Sequence, residues 1–336
     1  MTQIDLGAVE LMSLAGSVSA GASGELPFGA VVRVDIATTQ TWNPPPADLA
    51  AWPVVVVGVS SRPKGQPDDP TEALATSWCD VVVGADDSVA QIAAQVERSP
   101  LASVALAQVL RGSERRSLAD ALLVESAVYS TLQAGPEFRA WLDGRGPRPT
   151  GDSSAGQAVA VSRVGEQLHV ELSRPHVHNA LDRQMRDELL EALSVAVADP
   201  SVERILLTGA GPSFCSGGDL DEFGSFPDPA TAHLVRRSAS VARVLAALND
   251  RTEVRLHGAC VGSGIELPAF ARRIVAEPDT RIALPELRLG LIPGAGGTWS
   301  IPRRVGRHRT ALLALAGTPI DAATALHWGL VDEIAD

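Results

Sequence analysis

The chain has 336 residues, 45% hydrophobic and 20% charged, a composition that fits a folded globular protein and excludes a disordered or fibrous one. With 28 Lys and Arg against 40 Asp and Glu, its formal net charge of −12 argues against a general nucleic-acid binder. Local arginine clusters could still hold an anionic ligand, and Lys64 is the sole lysine.

The length allows one large domain with an appendage, or two domains. VVRVDI (31–36), PVVVVGVS (53–60) and CDVVVG (79–84) read as strands, with lesser breaks at 15–24 and 62–71. Asp86, Asp87 and Ser88 precede a helical pattern, and 115–142 reads as one or two more helices. Pro, Gly and Ser crowd together in DGRGPRPTGDSSAG, which marks residues 146–156 as a linker between an N-terminal α/β region (1–145) and a second region (157–336). Beyond it, LHVEL (168–172) reads as a strand. A helix is expected over 182–198, with Met185, Leu189, Leu193 and Val197 on one face. ERILLTG (203–209) reads as a buried strand. A second helix is expected over 230–248, with Leu234, Val241, Leu245 and Leu248 on one stripe. EVRLH (253–257) is a strand running into GACVGSG, which precedes a helix. Asp321 and Gly329 bracket a short helix before a last strand, LVDEIA.

Cys79, Cys215 and Cys260 stand at wide, unrelated spacings, which fits neither a disulfide framework nor a zinc site. Asp5 and Glu10, without an early Lys or Arg, do not read as a secretory signal, and no apolar run approaches the ~18 residues of a membrane helix. The expectation is a soluble cytoplasmic protein without a metal site.

Glu266 in GSGIELPAF and Glu286 in LPELRLGLIPGAGGT sit in apolar, glycine-rich company. Lost hydration raises a carboxyl pKa and suits it to proton transfer near neutrality, and two such groups on one pocket divide acid and base work. By residue type alone, each also fits the first turn of a helix, where a carboxylate meets the dipole. SFCSGGDL (213–220) and GACVGSG (258–264) place glycines where backbone N–H groups can approach a ligand or simply make a turn. Two such N–H groups aimed at one oxygen would hold a developing oxyanion.

Taken in order, SRPHVHNAL (173–181), LLTGAGPSFCSGGDL, HGACVGSGIEL, LPELRLGLIPGAGGT, the RRVG turn (303–306) and GLVDE resemble the enoyl-CoA hydratase/isomerase (crotonase) superfamily. The resemblance covers 157–336 almost without gaps. It implies an α/β fold, a crotonase-like ββα superhelical spiral with an N-terminal α/β extension, and assembly as a homotrimer or hexamer. It also implies an acyl-CoA thioester substrate, with CoA as part of the substrate and no separate cofactor, and neither nucleic acid nor membrane as partner.

By that resemblance the oxyanion hole falls on the backbone N–H groups of Gly218 and Ser263. Glu266 matches the glutamate that activates water, and Glu286 the one that delivers a proton to Cα. His178, Asn179, Ala180 and Leu181 match the segment that touches CoA, and Gly217, Asp219 and Gly262 join the substrate-binding set. Retention of both glutamates points to an enoyl-CoA hydratase, with isomerase, hydrolase and non-catalytic CoA-binding readings as alternatives. Ser263 replaces a usual glycine, and Pro268, Arg272 and His257 are further departures. Cys215, Cys260 and His257 read as packing residues. Arg303, Arg304, Arg307 and Arg309 fit CoA phosphates or a solvated helix end. Phe223, Phe226 and Trp299 fit an acyl pocket or plain packing.

Relatives continue past GLVDE into helices that close the pocket, whereas this sequence stops at Asp336. Residues 79–110 and 118–142 look like that tail. The expectation is a degenerate partial crotonase unit that supplies the missing helices within the chain or to a neighbour; the alternative is an unrelated accessory domain. No second glutamate pair is visible there.

Overall fold

The computed structural model describes residues 3–7, 10–13, 28–36, 42–60, 70–84, 86–145 and 156–335. Residues 146–155 of the expected linker, the whole 15–24 break, residues 62–69 of the 62–71 break, and Lys64 fall outside them.

The first sheet is β1 (Gln3–Leu6) beside three valine-rich runs, β2 (Val31–Asp35), β3 (Val55–Val59) and β4 (Val81–Val83), all parallel and in that order. Parallel sheets are covered on both faces, which is why these strands read as near-continuous apolar runs. Val32, Val34, Val54 and Val56 pack with Trp42, Trp52 and Trp78 on one side. Val31, Val55, Val57 and Val81 belong to an apolar cluster that continues into the C-terminal half. Helices Asp86–Arg98, Pro100–Arg111, Leu118–Gln133 and Pro136–Arg145 follow. At the base of the sheet Asp80 accepts from Arg111 through both oxygens (2.8 and 2.6 Å), and both side chains are nearly inaccessible.

The second half begins with a hairpin, β5 (Val159–Val164) and β6 (Gln167–Leu172), turning at Gly165 with φ +58°. Next come helix Arg183–Ala198, β7 (Arg204–Gly209), helices Pro229–Ser238 and Val241–Ala247, and β8 (Thr252–Leu256). From β8 to β11 successive strands alternate between two sheets. β9 (Ala259–Val261) and β11 (Arg281–Ala283) join β12 (Ile320–Asp321), whereas β10 (Arg273–Ala276) and β13 (Glu333–Ile334) extend the order β13-β10-β8-β7-β6-β5. This alternation is the ββα spiral that the sequence resemblance implies. Gly258, between β8 and β9, has φ +53°, and a Cβ there would lie 2.1 Å from the Pro212 carbonyl oxygen, so no other residue fits.

Helix Gly297–Ala316 joins the halves: it lies against β4 and the helices at 86–98, 100–111 and 118–133. Helix 118–133 also packs on helix 229–238.

Three sequence expectations change. The helix expected over 230–248 is two, broken at Ala239 and restarted by Ser240, whose hydroxyl accepts from Arg243 N. Leu234 is 67% exposed and lies off the buried stripe. Val197 is 56% exposed, and Ala196 takes its place inside. Each four-residue step overshoots a helical turn by about 40°, so three steps carry Val197 about 120° away from Met185. LVDEIA pairs only at Glu333–Ile334, whereas Asp321 and Gly329 do cap helix Ala322–Trp328.

Candidate active site

Two glycine-bearing loops meet backbone to backbone. Cys215 N donates to Ala259 O (3.1 Å) and Val261 N to Cys215 O (3.0 Å). A Cβ on Gly217 would stand 3.1 Å from Val261 O, and one on Gly264 would stand 2.2 Å from Cys215 O. This contact brings Gly218 and Ser263 onto one cavity of about 340 Å³, together with Glu266 and Glu286. Ser263 is the first residue of the short helix Ser263–Glu266, so its N–H precedes any intrahelical bonding.

Glu266 is 2% exposed. Its Oε2 accepts from Ala295 N (2.8 Å) and Gly297 N (2.9 Å) at the start of helix 297–316. Burial, then the neighbouring Glu286 and Glu125 charges, push its carboxyl well above the usual range. Glu286 opens the turn Glu286–Leu289. Its side chain is open to the cavity on one side, yet Oε2 is buried without a hydrogen-bond partner. Burial raises this carboxyl to about 8. Burial holds both carboxyls toward the protonated form, and the two titrate as a coupled pair.

The N-terminal half enters the same cavity through Tyr129, Gln133, Phe138 and Leu142. Tyr129, the sole tyrosine, lies against Gly294, where a Cβ would sit 2.5 Å from its ring, and the Arg236 guanidinium covers the ring at 4.6 Å. Glu125 was not among the residues singled out from sequence. It is 2% exposed, and its Oε1 accepts from Gly296 N (2.7 Å). Its Oε2 accepts from Thr298 N (3.0 Å) and Thr298 Oγ1 (2.6 Å). Burial, opposed by these bonds, raises its carboxyl to about 7. One sequence signal existed: Glu125 is the lone charge between Asp120 and Glu137.

Other candidates are placed as follows. Leu181 and Asp219 line the cavity, and Leu181 N donates to Gly217 O (2.8 Å). Gly262 has φ +52°, and its N–H donates to Ala283 O. His178 and Asn179 adopt left-handed conformations. Asn179 is fully buried, its side chain committed to Arg174 N and to the carbonyls of Ala210, Ser213 and Phe214. His178 Nδ1 lies 3.0 Å from Ser213 Oγ, and the Ala180 carbonyl accepts from Arg174 (2.6 Å). Phe223 and Phe226 border the cavity, whereas Trp299 stacks between Phe270 and Arg303. The arginines considered for phosphates hold backbone carbonyls instead: Arg303 those of Ser113 and Arg116, Arg304 those of Ala269 and Ala271, Arg307 those of Ser77 and Cys79, and Arg309 that of Trp328. His257 Nε2 is bonded to Gly211 O, and Cys215 and Cys260 are buried free thiols. Among the described residues no group of three His, Cys, Asp or Glu side chains could hold a metal ion, and no helix is long and apolar enough to cross a membrane.

Fold and site define a ββα spiral with two glutamates, Glu266 and Glu286, and two loop residues, Gly218 and Ser263, on one cavity. Residues 166–336 match the family model described as enoyl-CoA hydratase/isomerase, and the chain belongs to that family. It is 34% identical over 176 residues to an enoyl-CoA isomerase/hydratase of Mycosarcoma maydis, a match covering 50% of this chain and 64% of the relative. A 2,3-dehydroadipyl-CoA hydratase of Escherichia coli is 33% identical, covering 52% and 68%. The crystal structure of an enoyl-CoA hydratase from Thermoplasma volcanium superposes with a TM-score of 0.51 at 34% identity, covering 54% of this chain and 73% of that one. The chain thus spans less than two thirds of the length of the first of these relatives.

Proposed function

We propose that the protein is an enoyl-CoA hydratase that adds water across the double bond of a 2-enoyl-CoA thioester. The observation that supports this reading is the convergence of Glu266, Glu286, Gly218 and Ser263 on one cavity. The thioester carbonyl accepts from the N–H groups of Gly218 and Ser263, which stabilise the enolate as charge moves onto that oxygen. Glu266, in its carboxylate form, takes a proton from water as its oxygen attacks Cβ. Glu286, in its protonated form, delivers its proton to Cα. A proton passed back from Glu266 to Glu286 resets the pair. This chemistry calls for no metal or redox cofactor; CoA belongs to the substrate. Tyr129, Phe138 and Leu142 border the acyl end, and the N-terminal region is a partial crotonase unit completing its own core. A cytoplasmic homotrimer or hexamer is the assembly that accompanies this reading.

The test is loss of enoyl absorbance with crotonyl-CoA and longer 2-enoyl-CoAs, run in ¹⁸O-water. Wild type is expected to incorporate one labelled oxygen at Cβ. Glu266→Ala and Glu286→Ala are each expected to lose about 10²–10⁴ in rate. Full activity in either variant overturns the assignment. Double-bond migration without label would indicate an isomerase, a reaction that the name of the Mycosarcoma relative also carries.

A further inference from the structure

Four consecutive N–H groups, from Ala295 to Thr298, are shared alternately by two buried carboxylates. Ala295 and Gly297 serve Glu266, and Gly296 and Thr298 serve Glu125. We propose that Glu125 is a positioning residue for Glu266: by holding Gly296 and Thr298 it fixes the turn that aims Ala295 and Gly297 at the catalytic carboxylate. The catalytic consequence rests on the hydratase reading; the geometric one does not.

Three observations carry this. First, the bonds alternate in direction, so releasing one carboxylate frees the backbone to rotate and takes the donors from the other. Second, the turn is packed without slack. A Cβ on Gly297 would lie 2.5 Å from Glu266 Cγ, and one on Gly296 would lie 2.7 Å from the Phe270 ring. The turn therefore has a single register in which both carboxylates are satisfied. Third, a helix start needs only a small capping side chain at its surface, whereas here a whole glutamate is buried and given three donors. Among the described residues none makes a salt bridge with Glu125; Arg236, which lowers its pKa through space, is held by Ser126, Ser130 and Gln133. Glu125 borders a smaller adjoining cavity rather than the one shared by Glu266 and Glu286, so it acts through the turn and not on substrate.

The experiment compares wild type, Glu125→Ala and Glu125→Gln by amide hydrogen exchange at Ala295 and Gly297 and by steady-state kinetics on crotonyl-CoA. In Glu125→Ala, exchange at both amides is expected to speed up at least tenfold. There kcat falls by about 10²-fold with KM within threefold, the size of effect that a misplaced catalytic group produces. Glu125→Gln retains an acceptor for Gly296 but not for Thr298 N–H, so it recovers kcat to within about tenfold of wild type with exchange in between. Wild-type exchange at Ala295 and Gly297 in folded Glu125→Ala overturns the proposal. If that variant does not fold, wild-type exchange and kcat in Glu125→Gln overturn it. A wild type without turnover overturns the hydratase reading, and the exchange data still decide the role of Glu125.

Discussion

Gly262 and Glu286 are so close that a Cβ on the glycine would stand 2.5 Å from Glu286 Oε1. Gly262 also has φ +52°, a region costly to residues with a side chain. Gly262→Ala is therefore expected to displace the Glu286 carboxyl and to destabilise the fold by about 1–2 kcal/mol. Hydration of crotonyl-CoA should fall by about 10²-fold, while urea denaturation shows a folded protein at assay temperature. Unchanged turnover would show that Glu286 has room to move without consequence.

Stability should fall as pH rises from 6.5 to 8. Glu125, raised to about 7, and Glu286, raised to about 8, keep protons in the folded state that the unfolded chain has already lost above about 4.5. The native state then binds more protons, and the slope of stability with pH is negative until both folded carboxyls have ionised. His308, lowered to about 4 by burial and by Arg307, has the opposite slope, but only up to about 6.5. The cluster is faced by Glu266, Tyr129, Arg236 and Cys215, whose charges modulate but do not reverse this sign. Thermal midpoints between pH 6.5 and 8.5 check it; Glu125→Gln should flatten the slope.

Arg111 supplies five hydrogen bonds: two to Asp80 and one or more to each of the Leu49, Trp52 and Val54 carbonyls. Asp80 in turn accepts from Val56 N. Truncating the arginine strands a buried carboxylate and three carbonyls, so Arg111→Leu should lose about 3–5 kcal/mol in urea denaturation. A loss below 1 kcal/mol would mean that water replaces the guanidinium.

If the N-terminal region completes the core, residues 157–336 expressed alone should be insoluble, because helix 297–316 loses the helices that cover it. Co-expression with residues 1–156 should restore soluble material and hydratase activity, read by gel filtration and crotonyl-CoA assay. A soluble, active 157–336 fragment would overturn that view.

The longer apolar strands and the two caps around 322–328 were legible because each is written in local pattern, valine runs and an Asp-to-Gly bracket, and the spiral was implied by the family resemblance; β1, β5 and β9 to β12 were not read, being short or rich in polar residues. Of the site residues taken from the resemblance, Leu181, Gly218, Asp219, Ser263, Glu266 and Glu286 line the cavity, whereas His178, Asn179, Ala180, Gly217 and Gly262 do not. Val197 and Leu234 were misread because a four-residue repeat drifts off a 3.6-residue helix and because a helix break at Ala239 resets the phase. Glu125 was illegible for another reason. Its partners are 171 and 173 residues away, and a lone acid in an apolar helix gives no hint of a backbone turn so distant in sequence. The arginines at 303–309 were ambiguous because carbonyls and phosphates ask for the same donor.

The hydrogen bond between Thr298 and Glu125 also has a consequence in time. A ribosome completes Glu125 on the order of ten to thirty seconds before Thr298 emerges. For that interval the apolar face of β2–β4 and the inward side of helix 118–133 exist without the half that covers them. Until Thr298 is made, that uncovered apolar surface is the part of the nascent chain most prone to aggregate.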